Sequence, residues 1–312
     1  MTKIINQSYK IKKIIPLKIK IYRFISKLIV NIIFPFEKSL FRNSFSQYLK
    51  TYQNLNINNI ALKFKDGNER LYLHNNSQFI GEKDLVNWID TFSENDTFYD
   101  IGSNVGHFSI YAAKKNIKTY CFEGHFGNLN DFIYNIHLND VAKKIFLIPT
   151  LLGEKNESAY FFLRDFLAST ARSEIDHKKN IFKSQETEAL KLNTITMRLD
   201  FFIDNEIIPK PSKIKIDVDG AEYFILKGLG KYLNDVDEIL IEMFNRERDD
   251  WRIVQNFKYS KKISTKTIDE DFFSDIKGYN PYFEEIQDLL RNKNFVQIQS
   301  YGNNIIFKKK IN

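Results

Sequence analysis

The feature that most constrains this chain is a change of rhythm at Thr97. From there, short apolar segments alternate with segments of helical spacing, and the first junction between them is a glycine turn. Thr97 to Ile101 reads as a strand, Val105 to Lys115 as a helix, Lys118 to Phe122 as a strand, Phe126 to Leu138 as a helix and Ile145 to Pro149 as a strand. Strands separated by helices of this length predict parallel βαβ units. The rhythm breaks over 153–190, a segment containing the strand-like run 158–163 and read as an insertion or cover. It then returns with strands at Leu192 to Met197, Lys213 to Val218 and Val236 to Met243 and helices at Asp200 to Ile207 and Ala221 to Leu233. Residues 245–280 are polar and irregular. A helix over Tyr282 to Arg291 and strands at Phe295 to Gln299 and Asn304 to Lys308 close the chain. Upstream, apolar runs at 60–64 and 69–73 flank Asp66-Gly67-Asn68, a hairpin signal, and Leu85 to Phe92 reads as a short helix.

The first 50 residues hold 11 Lys and Arg against one acid, Glu37, whereas residues 51–312 hold 35 against 38. The net charge of +7 therefore belongs to an amino-terminal arm, and the near-neutral body argues against a nucleic-acid partner. The arm, residues 1–55, is read as basic, amphipathic and helical. Its longest charge-free stretch, Leu28 to Phe36, is too short to span a bilayer, which needs about 20 residues. It lies on an anionic membrane surface or packs against the body or a second subunit. Residues 56–312 form the main domain, with its core at 95–245. The lone cysteine, Cys121, excludes an internal disulfide and is read as a small buried hydrophobe. Together these features predict a cytoplasmic protein, peripheral at the inner face of the membrane if the arm binds lipid.

Three motifs carry chemistry. Asp100-x-Gly102-x-x-x-Gly106 sits at the first strand-to-helix turn, where glycines let a ligand approach the backbone and a helix start aims N–H groups at it. Asn104 occupies the place of the middle glycine of a dinucleotide fingerprint, which argues for a ligand without pyrophosphate. Glu123 ends the next strand, where an acid can accept hydrogen bonds from both ribose hydroxyls. Finally, Asp217, Asp219 and Glu222 crowd the end of a later strand and need a compensating positive charge, proton or hydrogen bonds.

These stretches resemble the FkbM-type methyltransferases. The resemblance rests on Asp100-Ile-Gly-Ser-Asn-Val-Gly106, Cys121-Phe-Glu123, the Asn-rich run Asn128 to Asn139, and Lys215-Ile-Asp-Val-Asp-Gly-Ala-Glu-Tyr-Phe-Ile-Leu-Lys-Gly228. It covers roughly residues 95 to 245. Gly124-His125 replaces the family's usual Pro, and Asp219 its usual Glu. The resemblance implies an α/β, Rossmann-like class I methyltransferase fold: a mostly parallel seven-stranded sheet with helices on both faces, plus the helical arm and a small hairpin. It also implies S-adenosyl-L-methionine as cofactor. Asp100, Gly102, Ser103, Asn104 and Gly106 would contact its amino-acid part, Glu123 its ribose, and Asn128 belongs to the same set. A hydroxyl of a sugar or glycan is the implied acceptor.

A hydroxyl needs a base to take its proton. Asp217, at a strand end facing the crevice, is the first choice, and Asp219 and His125 follow. His107, beside the glycine turn, is read as a packing residue. The histidines show no metal spacing, so no metal is expected, although Mg²⁺ at Asp217 and Asp219 stays open. Ser169 to Arg172, in the inserted segment, could reach the acceptor. The alternatives are an NAD-dependent sugar-nucleotide enzyme, disfavoured by Asn104, and a catalytically silent membrane-associated binding protein. A homo-oligomer is a further open expectation.

Overall fold

The computed structural model describes residues 52–66, 69–163, 174–175, 190–218, 220–243, 280, 282–301 and 304–310, together with Ile21, Phe24, Ile25 and Leu28. Strands β3 (Thr97–Ile101), β4 (Lys118–Phe122), β5 (Ile145–Ile148), β10 (Lys213–Ile216) and β11 (Glu238–Glu242) pair in parallel. β12 (Phe295–Tyr301) and β13 (Asn304–Lys309) extend that sheet antiparallel, in the order β12-β13-β11-β10-β3-β4-β5. This is the mostly parallel seven-stranded sheet of a class I methyltransferase. The chain runs outward from β3 to β4 and β5, then restarts at β10 on the other side. The β3/β10 boundary is therefore the topological switch point, where open α/β sheets bind ligands.

Alternate residues of the strands face different cores. Tyr99, Ile101, Phe122, Ile214, Ile216, Ile239 and Ile305 belong to one cluster, and Phe98, Cys121, Leu240 and Ile306 to the other. That period of two, with helical residues in both clusters, is why the sheet is covered on both faces. Cys121 is fully buried, and burial pushes its thiol well above the usual range, so it packs as a hydrophobe.

Three expectations change. The hairpin is β1 (Tyr52–Ile57) with β2 (Ile60–Lys65), and it turns at Asn58-Asn59 instead of Asp66-Gly67-Asn68. Both asparagines adopt positive φ, 47° and 66°, as a two-residue hairpin turn requires. β1 also begins at Tyr52, inside the segment read as the arm. Residues 69–73, expected to be a strand, open helix α1 (Glu69–Gly81), which is followed by α2 (Lys83–Asp90). Lastly, the strand expected at Leu192 to Met197 does not rejoin the main sheet. As β9 (Leu190–Met197) it pairs with β6 (Leu151–Leu152) and β7 (Glu157–Leu163), and β8 (Glu174–Ile175) completes a second, four-stranded sheet.

The Asn-rich helix explains how the hairpin is held. In α4 (Phe126–Asn139), which follows α3 (His107–Lys114), Asn139 accepts from the Lys63 N–H at 2.9 Å and donates to the Lys63 carbonyl. Asn135 accepts from the Lys65 N–H at 2.8 Å and donates to the Val105 carbonyl at 2.9 Å. Side-chain amides thus satisfy backbone groups of β2 as a neighbouring strand would. Asn75 of α1 donates to the Lys65 carbonyl at 2.9 Å and lies 2.8 Å from His107 Nε2. This chain of amides seats α1 beside the carboxyl ends of β3 and β10. His107 packs against Phe64 with the rings tilted by 38° and 4.6 Å between centroids, and burial holds its pKa well below the ordinary value, so it is a packing residue.

Candidate active site

The glycine turn is fastened to the end of β4. The N–H groups of Gly102 and Ser103 both donate to the Phe122 carbonyl, at 2.9 and 3.2 Å, and the Ser103 hydroxyl donates to the same oxygen at 3.4 Å. Gly102 and Asn104 take positive φ, 76° and 53°, which folds the turn back over β4. The Asn104 N–H then reaches Glu123 Oε2 at 2.8 Å, and the His125 N–H reaches Glu123 Oε1 at 2.7 Å. The Asn128 side chain donates to the same carboxylate. Burial nevertheless pushes the Glu123 carboxyl up to about 7, against the pull of these hydrogen bonds.

Beneath the turn lies a buried cation. Lys215, on β10, is paired in register with Asp100 on β3. Its ammonium is 3.2 Å from Asp100 Oδ1 and 3.2 Å from Asp217 Oδ2, and it donates to the Gly102 carbonyl at 3.3 Å. Ser109 donates to Asp100 Oδ2 at 2.5 Å. Burial would raise the Asp217 carboxyl, but the Lys215 charge and a hydrogen bond with Glu242 hold it below the usual range. Lys215 is held above the ordinary lysine range, the two aspartates outweighing its own desolvation. Much of the positive charge that the carboxylate cluster requires is therefore supplied from within the strand. Glu222 is satisfied separately, accepting from the Val218 and Gly220 N–H groups and the Asn280 amide, so it organises its own loop.

A cavity of about 410 Å³ joins these parts. Gly102, Asn104, Glu123, His125, Asn128 and Asp217 line it, whereas Asp100, Ser103 and Gly106 do not. Asp100 acts from below through Lys215. Ser103 is turned back to β4. Gly106 caps α3 at φ 85°, where a Cβ would lie 2.0 Å from the Phe132 ring. His125 is the N-cap of α4, and its Nδ1 accepts from the Asn128 N–H at 3.2 Å. Asp219 and residues 169–172 lie outside the described residues.

Several lining residues were not anticipated. His74, Gln78 and Glu82 approach from α1 and the residue after it, and Glu242 from the end of β11. The i, i+4, i+8 spacing of the first three is a helical signal, hidden when 69–73 is read as a strand. Glu82 accepts a hydrogen bond from Asn304, but burial, and then the Asp217 charge, raise its carboxyl. Leu151, Leu152, Phe161 and Ile225 add apolar walls, bringing the second sheet and the helix α5 (Glu222–Leu229) to the same space.

A switch-point cavity, with a glycine turn and a strand-end acid on one side and a carboxylate on the other, is the ligand site of a Rossmann-like α/β fold. A family model described as the methyltransferase FkbM domain matches residues 32–296. The chain belongs to that family, and it is a methyltransferase. Hexuronic acid methyltransferase AglP of Haloferax volcanii is 27% identical over 196 residues, which cover 62% of this chain and 75% of that protein. Among solved structures, the methyltransferase FkbM from Methylobacillus flagellatus overlaps at TM-score 0.34 and 17% identity, covering 54% of this chain and 38% of its own length. An O-methyltransferase family protein from Burkholderia thailandensis overlaps at TM-score 0.41 and 11% identity, over 78% of this chain and 60% of that one. These structural overlaps are partial, and the family match carries the assignment.

Proposed function

We propose that the protein transfers a methyl group from S-adenosyl-L-methionine to a hydroxyl of a sugar or glycan. The observation that carries this reading is the single cavity running from the Gly102–Asn104 turn and Glu123 to the carboxylate of Asp217. The residues suit the donor. Gly102 has no side chain to fill the turn, and buried Asn104 Oδ1 has no hydrogen-bond partner among the described residues, an acceptor suited to an ammonium group. The Glu123 carboxylate, on the cavity wall at the end of β4, is an acceptor suited to ribose hydroxyls, which would share it with the donors it already has. S-adenosyl-L-methionine, held by Gly102, Asn104 and Glu123, would supply an electrophilic methyl on a sulfonium, leaving as the neutral thioether when the acceptor oxygen takes the methyl. Asp217 accepts the hydroxyl's hydrogen bond and takes its proton, and the apolar walls exclude water. The relative from Haloferax volcanii, named for a hexuronic acid, supports a sugar acceptor.

The test is methyl transfer from labelled donor to a glycan panel. Asp217→Asn should keep donor affinity and lower turnover by about 10²-fold or more. A second reading makes Glu82 the base, because its raised carboxyl is better matched to neutral pH than the depressed Asp217. Full turnover in Asp217→Asn together with a collapse in Glu82→Gln would select that reading.

Glu123 adds a pH dependence. Ribose hydroxyls donate to the charged carboxylate, so donor binding pulls its pKa below about 7 and releases a proton. Affinity should weaken as pH falls through 7, by up to about tenfold per unit. Without donor the sign reverses: the carboxyl keeps its proton between 4.5 and about 7 only when folded, so this group's contribution to stability falls as pH rises across that window. Calorimetric titration at pH 6 and 8 in buffers of different ionisation heat reads both the affinity and the released proton. An affinity independent of pH would remove Glu123 from the ribose site.

A further inference from the structure

The described residues of the arm, Ile21, Phe24, Ile25 and Leu28, are helical and stand 48, 67, 42 and 49% exposed. Their spacing of i, i+3, i+4 and i+7 puts them on one stripe of a helix. None of them belongs to the buried clusters of the body. An exposed stripe of four large apolar side chains is costly in water, and its neighbours in sequence indicate what covers it. Lys20, Arg23 and Lys27 recur at i, i+3 and i+7, and the first 50 residues carry 11 cations against one acid. Among the described residues no helix is long and apolar enough to cross a membrane.

We propose that this segment docks the protein on an anionic lipid surface, with Ile21, Phe24, Ile25 and Leu28 entering the boundary between headgroups and acyl chains and the flanking Lys and Arg pairing with lipid phosphates. The two halves of the pattern need different things. The cations need a dense negative field, and each contributes only near such a surface. The stripe needs an apolar phase to enter, as interfacial helices do. A nucleic acid offers the field without the apolar phase. A second copy of the chain offers an apolar face without the field, because residues 51–312 are close to neutral. A bilayer rich in anionic lipid offers both. This inference is independent of the methyl-transfer reading: the surface lies in the arm, and its test needs neither donor nor acceptor.

The test is flotation of the full chain with vesicles of phosphatidylcholine alone and of phosphatidylcholine mixed with phosphatidylglycerol. The chain should float with the mixed vesicles, at least tenfold more weakly with the neutral ones, and should be released in part by molar salt, which shortens the Debye length to about 3 Å. Phe24→Glu with Ile25→Glu should lower the bound fraction at least tenfold, as should Lys20→Glu with Arg23→Glu and Lys27→Glu. The melting transition of the body should not move, because the stripe makes no part of its core. Three results would overturn the proposal: no flotation with mixed vesicles, undiminished flotation of the Phe24/Ile25 variant, or a lipid-free dimer by light scattering that the same variant dissolves.

Discussion

Replacing Lys215 with methionine is expected to destabilise the protein by about 3–5 kcal/mol, the usual effect of removing one member of a buried ion pair. The lysine and Asp100 are both almost wholly buried, their side chains 4% and 1% exposed, so water cannot take the place of the lost charge. Asp217 contributes less to the loss, because its side chain is 36% exposed and solvent screens it. The variant leaves a negative charge in the core, which protonation relieves. Its deficit relative to the native chain should therefore shrink as pH falls from 8 to 5. Denaturant unfolding at the two pH values reads this directly, with an unchanged slope showing that the midpoint shift is a stability change. Donor affinity should fall as well, since Lys215 also holds the Gly102 carbonyl. Adding Asp217→Asn to Lys215→Met should return part of the stability, as coupled neighbours do. A loss below about 1 kcal/mol, the size of an ordinary substitution, would mean that Lys215 and Asp100 do not behave as a buried ion pair.

This lysine also marks where sequence reading stops. Asp100, Gly102, Asn104 and Glu123 are legible because their chemistry is local: a strand end, a glycine turn and an acid one βα unit later imply one another. Lys215 sits in the same recognisable motif, but its role depends on the pairing of β10 with β3, and that register brings together residues 115 positions apart. Ser103 and Gly106 lie in the same loop, where one is turned to β4 and the other clears Phe132. A motif does not distinguish a residue that touches a ligand from one that shapes the turn.

The missed wall of the cavity has a different cause. Helix α1 contains His74-Asn75-Asn76-Ser77, residues of middling helix propensity. What holds it is tertiary: Leu71 and Phe79 are buried, and Asn75 is fixed between Lys65 and His107. Packing overrides propensity there, so composition gave little warning that His74, Gln78 and Glu82 reach the site. The hairpin was displaced for a related reason. Asp-Gly is the stronger general turn signal, but Asn58-Asn59 sits between two runs whose pairing buries Leu62 and Phe64.

Gly102→Ala should abolish donor binding and destabilise the fold by about 3–5 kcal/mol, from a strained positive φ and an overpacked contact together. An ideal Cβ at Gly102 would lie 1.9 Å from the Asp217 carbonyl oxygen and 3.0 Å from Val218 Cγ1. The carbonyl cannot retreat, because the Asp217 N–H is bonded to the Ile101 carbonyl at 3.1 Å and the β3–β10 register fixes the residues before it. The strain must go instead into the turn that carries Asn104 to Glu123. Two other glycines separate function from folding. Gly106→Ala carries a positive-φ strain too, but the nearest atoms its Cβ meets belong to the Phe132 ring, at 2.0 Å, and not to the cavity wall, so its donor affinity should fall no further than its stability does. Gly81→Ala has nothing within 4 Å and should be close to neutral. Calorimetric titration with S-adenosyl-L-methionine, made well below each variant's unfolding midpoint, distinguishes the three. If Gly102→Ala binds the donor as well as Gly106→Ala does, the turn at 102 shapes the fold only, and the donor site lies elsewhere in the cavity.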